Sequence, residues 1–189
     1  MRTLVHLTGI MAVALAGSAL QATDFGPLVD VVKSTWPERT HVAVVADAAR
    51  SQEDILALAR TLGEGSTLTV LDVQGRSQID AAGNQLLMRA SPDYLVLLPE
   101  DPRVHDGSLE ASRLVRQVAA RGIPTLGTTR RALAQGAVFV MGADTGYELL
   151  EADRMVGTIE VILPEKGRFL NKVAWQNDGM ATITTIAGF

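Results

Sequence analysis

Five consecutive apolar residues, Tyr94-Leu95-Val96-Leu97-Leu98, stop at Pro99 and give way to Glu100, Asp101, Pro102, Arg103, His105 and Asp106. An apolar run of strand length, without polar alternation and bounded by turn residues, is buried on both faces, which places it in the middle of a parallel sheet. A polar loop leaving the carboxyl end of such a strand is where open α/β sheets bind ligands. The stretch from Asp93 to Asp106 therefore orients the reading of the rest of the chain.

Around it the sequence alternates. An amphipathic helix spans Gly26 to Trp36 and is stopped by Pro37, and a strand runs from Thr40 to Ala46. Ser51-Gln52-Glu53-Asp54 reads as a capping box for a helix with Ile55, Leu58, Ala59 and Leu62 on its buried face, ended by Gly63. The same unit follows as a strand Thr67 to Val73, then a helix from a second box at Ser77 to Asp80 to about Ala90. Ser108 caps a helix that buries Ala111, Leu114, Val115 and Val118 and turns Arg113, Arg116 and Arg121 away. A strand Ile123 to Gly127, a short helix Thr129 to Gln135, a strand Ala137 to Met141 and a long helix Thr145 to Leu163 complete the pattern. Strands alternating with helices mean right-handed βαβ units, so the expected fold is α/β, a doubly wound and mainly parallel sheet with order 2-1-3-4-5 and helices on both faces. Beyond Pro164, alternating runs Leu170 to Trp175 and Ala181 to Ala187 flank Asp178-Gly179, a hairpin turn signal, so the chain is expected to end in a β-hairpin at a sheet edge.

At 189 residues, 47% hydrophobic and 20% charged, the chain suits one globular domain. A net charge of -4 argues against a nucleic-acid partner, since phosphate binding rests on clustered Lys and Arg. Residues 1–22 read as a signal peptide: Arg2, an apolar core from Leu4 to Leu15, then small residues that allow cleavage after Ala19 or Ala22. That core is shorter than the ~20 residues a spanning helix needs. The expected mature domain is 23–189, in the periplasm. One of the 17 basic residues and no acid lies in the leader, so the remainder carries 16 against 21, a net of -5. The absence of cysteine excludes disulfides, a thiolate nucleophile, a cysteine zinc site and a lipid-acceptor cysteine.

If the sheet is doubly wound, four loops meet at its carboxyl edge: Asp47 to Arg50, Pro99 to Asp106, Gly127 to Arg131 and Gly142 to Tyr147. Three lead into helix N-termini, which favour an anion, while Asp47, Asp101 and Asp144 would attract an ammonium, so the rim could hold a zwitterion such as an amino acid. For any single one of these carboxylates, simple capping of a helix is the stronger reading. His105 and its acidic neighbours lack metal-ligand spacing, and the sequence contains no Gly-x-Ser-x-Gly, Gly-x-Gly-x-x-Gly or Walker loop. No metal, cofactor or enzymatic activity is expected.

Three segments carry a resemblance: Arg121-Gly122-Ile123-Pro124-Thr125-Leu126-Gly127-Thr128-Thr129, then Ala134-Gln135-Gly136-Ala137, then Gly142-Ala143-Asp144-Thr145-Gly146-Tyr147-Glu148-Leu149. In this order they resemble the substrate-binding proteins of ABC transporters whose hallmarks are "GIPV-G-S/T-R", "V--GAL" and "PDYYELGR", and Leu28 to Val45 is similar to that family's "LLKELLPGAKRVGVL". In that family two α/β lobes of periplasmic-binding-protein type I close over a small ligand, often an aromatic amino acid. The matched stretch, Leu28 to Gly167, corresponds to one lobe. Carried over by position, the family's polar ligand contacts fall on Asp47, Ser51, Asp101, Thr128 and Asp144. The chain departs from the pattern with Asp47-Ala48 in place of Asn-Pro and Gly146-Tyr147 in place of Tyr-Tyr. The resemblance implies an exported solute-binding protein that takes a small-molecule ligand, alone or across a homodimer, and serves a membrane transporter. The alternative is a non-catalytic interaction module built from such a lobe, docking on a membrane protein or assembly.

Overall fold

Alternate residues of each apolar run separate into two hydrophobic clusters, one on either side of a single sheet. The computed structural model describes residues 23–105, 107–137, 139–142, 146–149, 168–169 and 179–189. The elements are α1 (Gly26–Thr35), β1 (His41–Ala46), α2 (Gln52–Leu62), β2 (Thr67–Asp72), α3 (Ile79–Gln85), β3 (Tyr94–Val96), α4 (Leu109–Ala119), β4 (Thr125–Gly127), α5 (Arg130–Gln135), β5 (Phe139–Gly142), β6 (Gly146–Leu149), β7 (Arg168–Phe169) and β8 (Thr182–Ala187).

The sheet order is β6-β5-β4-β3-β1-β2-β8-β7. The expected order 2-1-3-4-5 is contained in it, with β1 to β5 all parallel. On β1, Val42, Val44 and Ala46 face a cluster shared with α1 and α2, while Ala43 and Val45 face a second cluster shared with α3, α4 and Ala132 of α5. The run from Tyr94 divides the same way, with Tyr94, Val96 and Leu98 on the first side and Leu95 and Leu97 on the second. Burial of alternate residues on opposite faces is what an unbroken apolar strand requires. Leu97 and Leu98 lie past the end of β3 but stay buried, and the Leu97 N–H donates to Leu126 O at 2.9 Å.

Several local expectations are corrected. The Ser51 hydroxyl does not cap α2: its backbone at φ -98°, ψ 19° is not the extended conformation that turns an N-cap side chain back on the helix. Asp54 accepts instead from the Thr23 N–H at 3.0 Å, tying the start of the described chain to α2. Ser77 likewise makes no cap. A single turn over Arg76–Gln78 precedes α3, and Gln78 Oε1 accepts from the N–H groups of Gln74 and Gly75. Ser108 does cap α4, its Oγ accepting from the Ala111 N–H at 3.0 Å. After α3 the helix widens over Leu86–Ala90 and closes with Ser91 N donating to Leu86 O, which leaves Ser91 in the left-handed region at φ 43°.

At the carboxyl end, β6 is antiparallel to β5, with Gly142 opposite Gly146, where a helix was expected from Thr145. Gly146 falls in the first turn of that expected helix, where glycine is less favourable by about 1 kcal/mol, and together with Gly142 it suits a close strand reversal. The remainder of that expected helix, 150–163, lies outside the described residues. The chain ends in an antiparallel pair at the sheet edge, as expected: β8 runs parallel to β2 from Thr67↔Thr182 to Leu71↔Ile186, and β7 pairs antiparallel to β8 at 168–169. The first expected hairpin strand, 170–175, lies outside the described residues. Among the described residues no helix is long and apolar enough to cross a membrane.

Candidate functional site

The chain leaves β1 toward α2 on one face and leaves β3 toward α4 on the other, so the carboxyl ends of β1 and β3 flank the crevice in which open α/β sheets hold ligands. Here a side chain of the protein fills that crevice. Asp101 is 1% exposed, and its Oδ2 accepts from the Asp47 N–H at 2.8 Å and the Ser51 hydroxyl at 2.6 Å. Its Oδ1 accepts from the N–H groups of Arg103 at 2.8 Å and Val104 at 2.7 Å. The second pair follows from local sequence: an aspartate followed by Pro102 starts a turn in which the carboxylate bonds the backbone two and three residues on. The first pair joins the two loops.

Asp47 is buried beside it, with Oδ2 3.7 Å from Arg50 Nε and 3.9 Å from Arg103 Nε. Arg103 Nε has no hydrogen-bond acceptor, so Asp47 is its counter-charge at ion-pair distance only. A third carboxylate, Asp72 at the end of β2, accepts from the Ala48 N–H at 3.1 Å. Its sequence signal was available, because Asp72 follows an apolar run just as Asp47 does. The structure thus brings three of the five expected site residues together, Asp47, Ser51 and Asp101, and joins them to one another. Asp144 lies outside the described residues. Thr128 is half-buried just past β4.

Among the described residues an open volume lies one strand over, at the carboxyl ends of β3 and β4. A depression of about 640 Å³ is lined by Pro99, Glu100, Asp101, His105, Thr129 and Arg131. Thr129, and not Thr128, is the threonine on its wall. Glu100 and Arg131 are both exposed and, among the described residues, neither is in an ion pair. The wall is positioned from behind. Gln135 on α5 accepts from Gly107 N–H through Oε1 and donates through Nε2 to Ser108 O and Ser112 Oγ, locking α5 onto the start of α4. Gly107 sits at φ +89°, and a Cβ there would come within 2.9 Å of Arg131 Cδ, so only glycine lets the Arg131 stem pass. Glu100 and Arg131 can hold a cationic and an anionic group of one small molecule, and Thr129 and His105 add hydrogen-bonding capacity. Among the described residues no three His, Asp or Glu side chains converge on a metal position.

The opposite edge of the sheet carries its own polar cluster. Asp93 Oδ2 accepts from the N–H groups of Thr40 and His41, and His41 Nε2 lies 2.8 Å from Thr69 Oγ1. Burial lowers the pKa of His41, with Asp93 opposing, and burial also raises that of the Tyr94 phenol, here with Asp93 adding to the shift. No family model matches the chain, and no curated protein matches it.

Proposed function

We propose that this chain is an exported, non-catalytic solute-binding domain of the kind that serves ABC transporters, and that its solute sits in the depression between the ends of β3 and β4. The observation that carries the reading is that Glu100 and Arg131 both line one depression of about 640 Å³ at the carboxyl edge of a parallel sheet. A small zwitterion places its ammonium against Glu100 and its carboxylate against the Arg131 fork. The test is a thermal-shift screen of amino acids and related zwitterions, in which a ligand at 100 times its Kd adds ~2.7 kcal/mol. Calorimetric titration of Glu100→Ala and Arg131→Ala follows. Removing one charge-assisted bond weakens binding by about 1.5 to 3 kcal/mol, tenfold or more. Unchanged affinity in both variants, or no ligand from the screen, refutes the reading. Export is tested by fractionation with and without residues 1–22.

A second reading has one observation in its favour. Asp101 saturates the crevice between β1 and β3 with internal hydrogen bonds, as suits a lobe that serves as an interaction module on a membrane protein. A blank ligand screen together with a wild-type protein that binds an assembly partner would select it.

A further inference from the structure

Between Glu110 and Asp144 the chain carries five arginines and no acidic residue. That segment is +5 within a chain of net -4, which leaves -9 on everything else. Three of the five, Arg113, Arg116 and Arg121, lie exposed on α4 and just past its end. Arg113 and Arg116 are three residues apart and so adjacent on one face, and Leu109, 60% exposed, lies one turn before Arg113 on the same stripe. The one described ion pair on α4 is Arg76 with Glu110, at 3.1 Å, so no described carboxylate neutralises the other three guanidiniums. Completing the dipole at the end of α4 would account for Arg116 and Arg121. It does not account for Arg113 in the middle of the helix, nor for the lack of any acid over the whole segment.

We propose that the outer face of α4, Leu109 with Arg113, Arg116 and Arg121, is a docking surface for an acidic segment of a partner protein. Arginine forks match carboxylates in a bidentate fashion, and one exposed leucine beside them supplies an apolar contact at the rim of a charged patch. A protein is favoured over a lipid surface by the charge balance, because the net of -9 outside this segment would be repelled by an anionic bilayer, whereas a short acidic segment need meet only the arginine face. A duplex nucleic acid would meet a chain whose remaining charge is strongly negative.

The test is fluorescence anisotropy of a labelled poly-glutamate peptide with the full chain. Phosphatidylglycerol vesicles and duplex DNA serve as parallel probes. Wild type should bind the peptide, more weakly as salt rises. Arg113→Ala/Arg116→Ala should weaken binding by about five- to tenfold, from exposed pairs that contribute a few tenths to 1 kcal/mol each. Lys33→Ala/Arg60→Ala removes the same charge from the α1 and α2 side and should leave binding within about twofold of wild type. Melting curves of both variants confirm that each is folded. Equal weakening in the two variants, tighter binding to vesicles or DNA than to the peptide, or no binding by wild type would each overturn the proposal.

Discussion

Replacing Asp101 by alanine tests the idea that a side chain of the protein closes the crevice between β1 and β3. The carboxylate accepts four hydrogen bonds, and the donors at Asp47 N and Val104 N are buried. A buried donor left without an acceptor costs about 1 to 3 kcal/mol, while the Ser51 hydroxyl can rotate and Arg103 N is partly solvated, so the expected loss is about 2 to 6 kcal/mol. Two milder variants fix the interpretation. Asp101→Asn keeps one oxygen acceptor and should lose roughly half as much, because its amide must face one of the two donor pairs. Ser51→Ala removes a single donor and leaves Asp101 three partners, for about 1 kcal/mol. Urea unfolding at neutral pH measures all three. The order Ser51→Ala, Asp101→Asn, Asp101→Ala with unchanged m-values supports the clasp. A loss below about 0.5 kcal/mol for Asp101→Ala, the range of an ordinary surface site, would mean that the carboxylate does not hold the two loops together.

Leu97→Ala should cost about 2 to 5 kcal/mol in the same assay, because Leu97 is buried in the α3 and α4 cluster and truncation leaves a cavity. Ser91→Gly should stabilise by up to about 1 kcal/mol, since Ser91 holds φ 43°, where glycine meets no Cβ penalty; a destabilised variant would show that the Ser91 side chain matters more than its backbone. His41 has its pKa lowered by folding from 6.5, so the unfolded chain binds the proton more readily. Its contribution is therefore fully present above pH 6.5 and is lost as pH falls below it toward the folded pKa. Melts across this range should show wild type losing more stability on acidification than His41→Gln, and parallel curves would refute the assignment.

The fold was legible wherever one signal dominated. Unbroken apolar runs and the 3.6-residue stripes of α2 and α4 depend on burial alone, and burial is what the sheet enforces on both faces. Serines were less legible, since the hydroxyls of Ser51 and Ser108 stand at the same place before a helix and meet different competitors. Ser108 is extended and caps α4, whereas Ser51 has a buried carboxylate from fifty residues away within reach. Such long-range partners carry no local pattern. The helix expected from Thr145 rested on the βα alternation alone, and Gly142 and Gly146, two residues that favour a reversal, mark where β6 turns back on β5 instead.

The candidate site shows the same division between location and partner. Position at the end of an apolar strand marked Asp47 and Asp101 for the sheet's carboxyl edge, and both are there. Position did not tell where the carboxylates point. Asp101 turns inward because Pro102 sets a turn that brings the Arg103 and Val104 N–H groups onto Oδ1 and leaves Oδ2 facing Asp47 and Ser51. The inner side of the loop from Pro99 to His105 is thereby fixed, while the exposed Glu100 of the same loop lines the depression that Arg131 also lines. A solute held there meets a loop already locked by four hydrogen bonds, so little ordering has to accompany binding. Under the proposed function Asp101, 1% exposed, would act on affinity chiefly by holding Glu100 in place, which separates its two effects: an Asp101 variant should lose stability first, and lose affinity only as far as the loop moves.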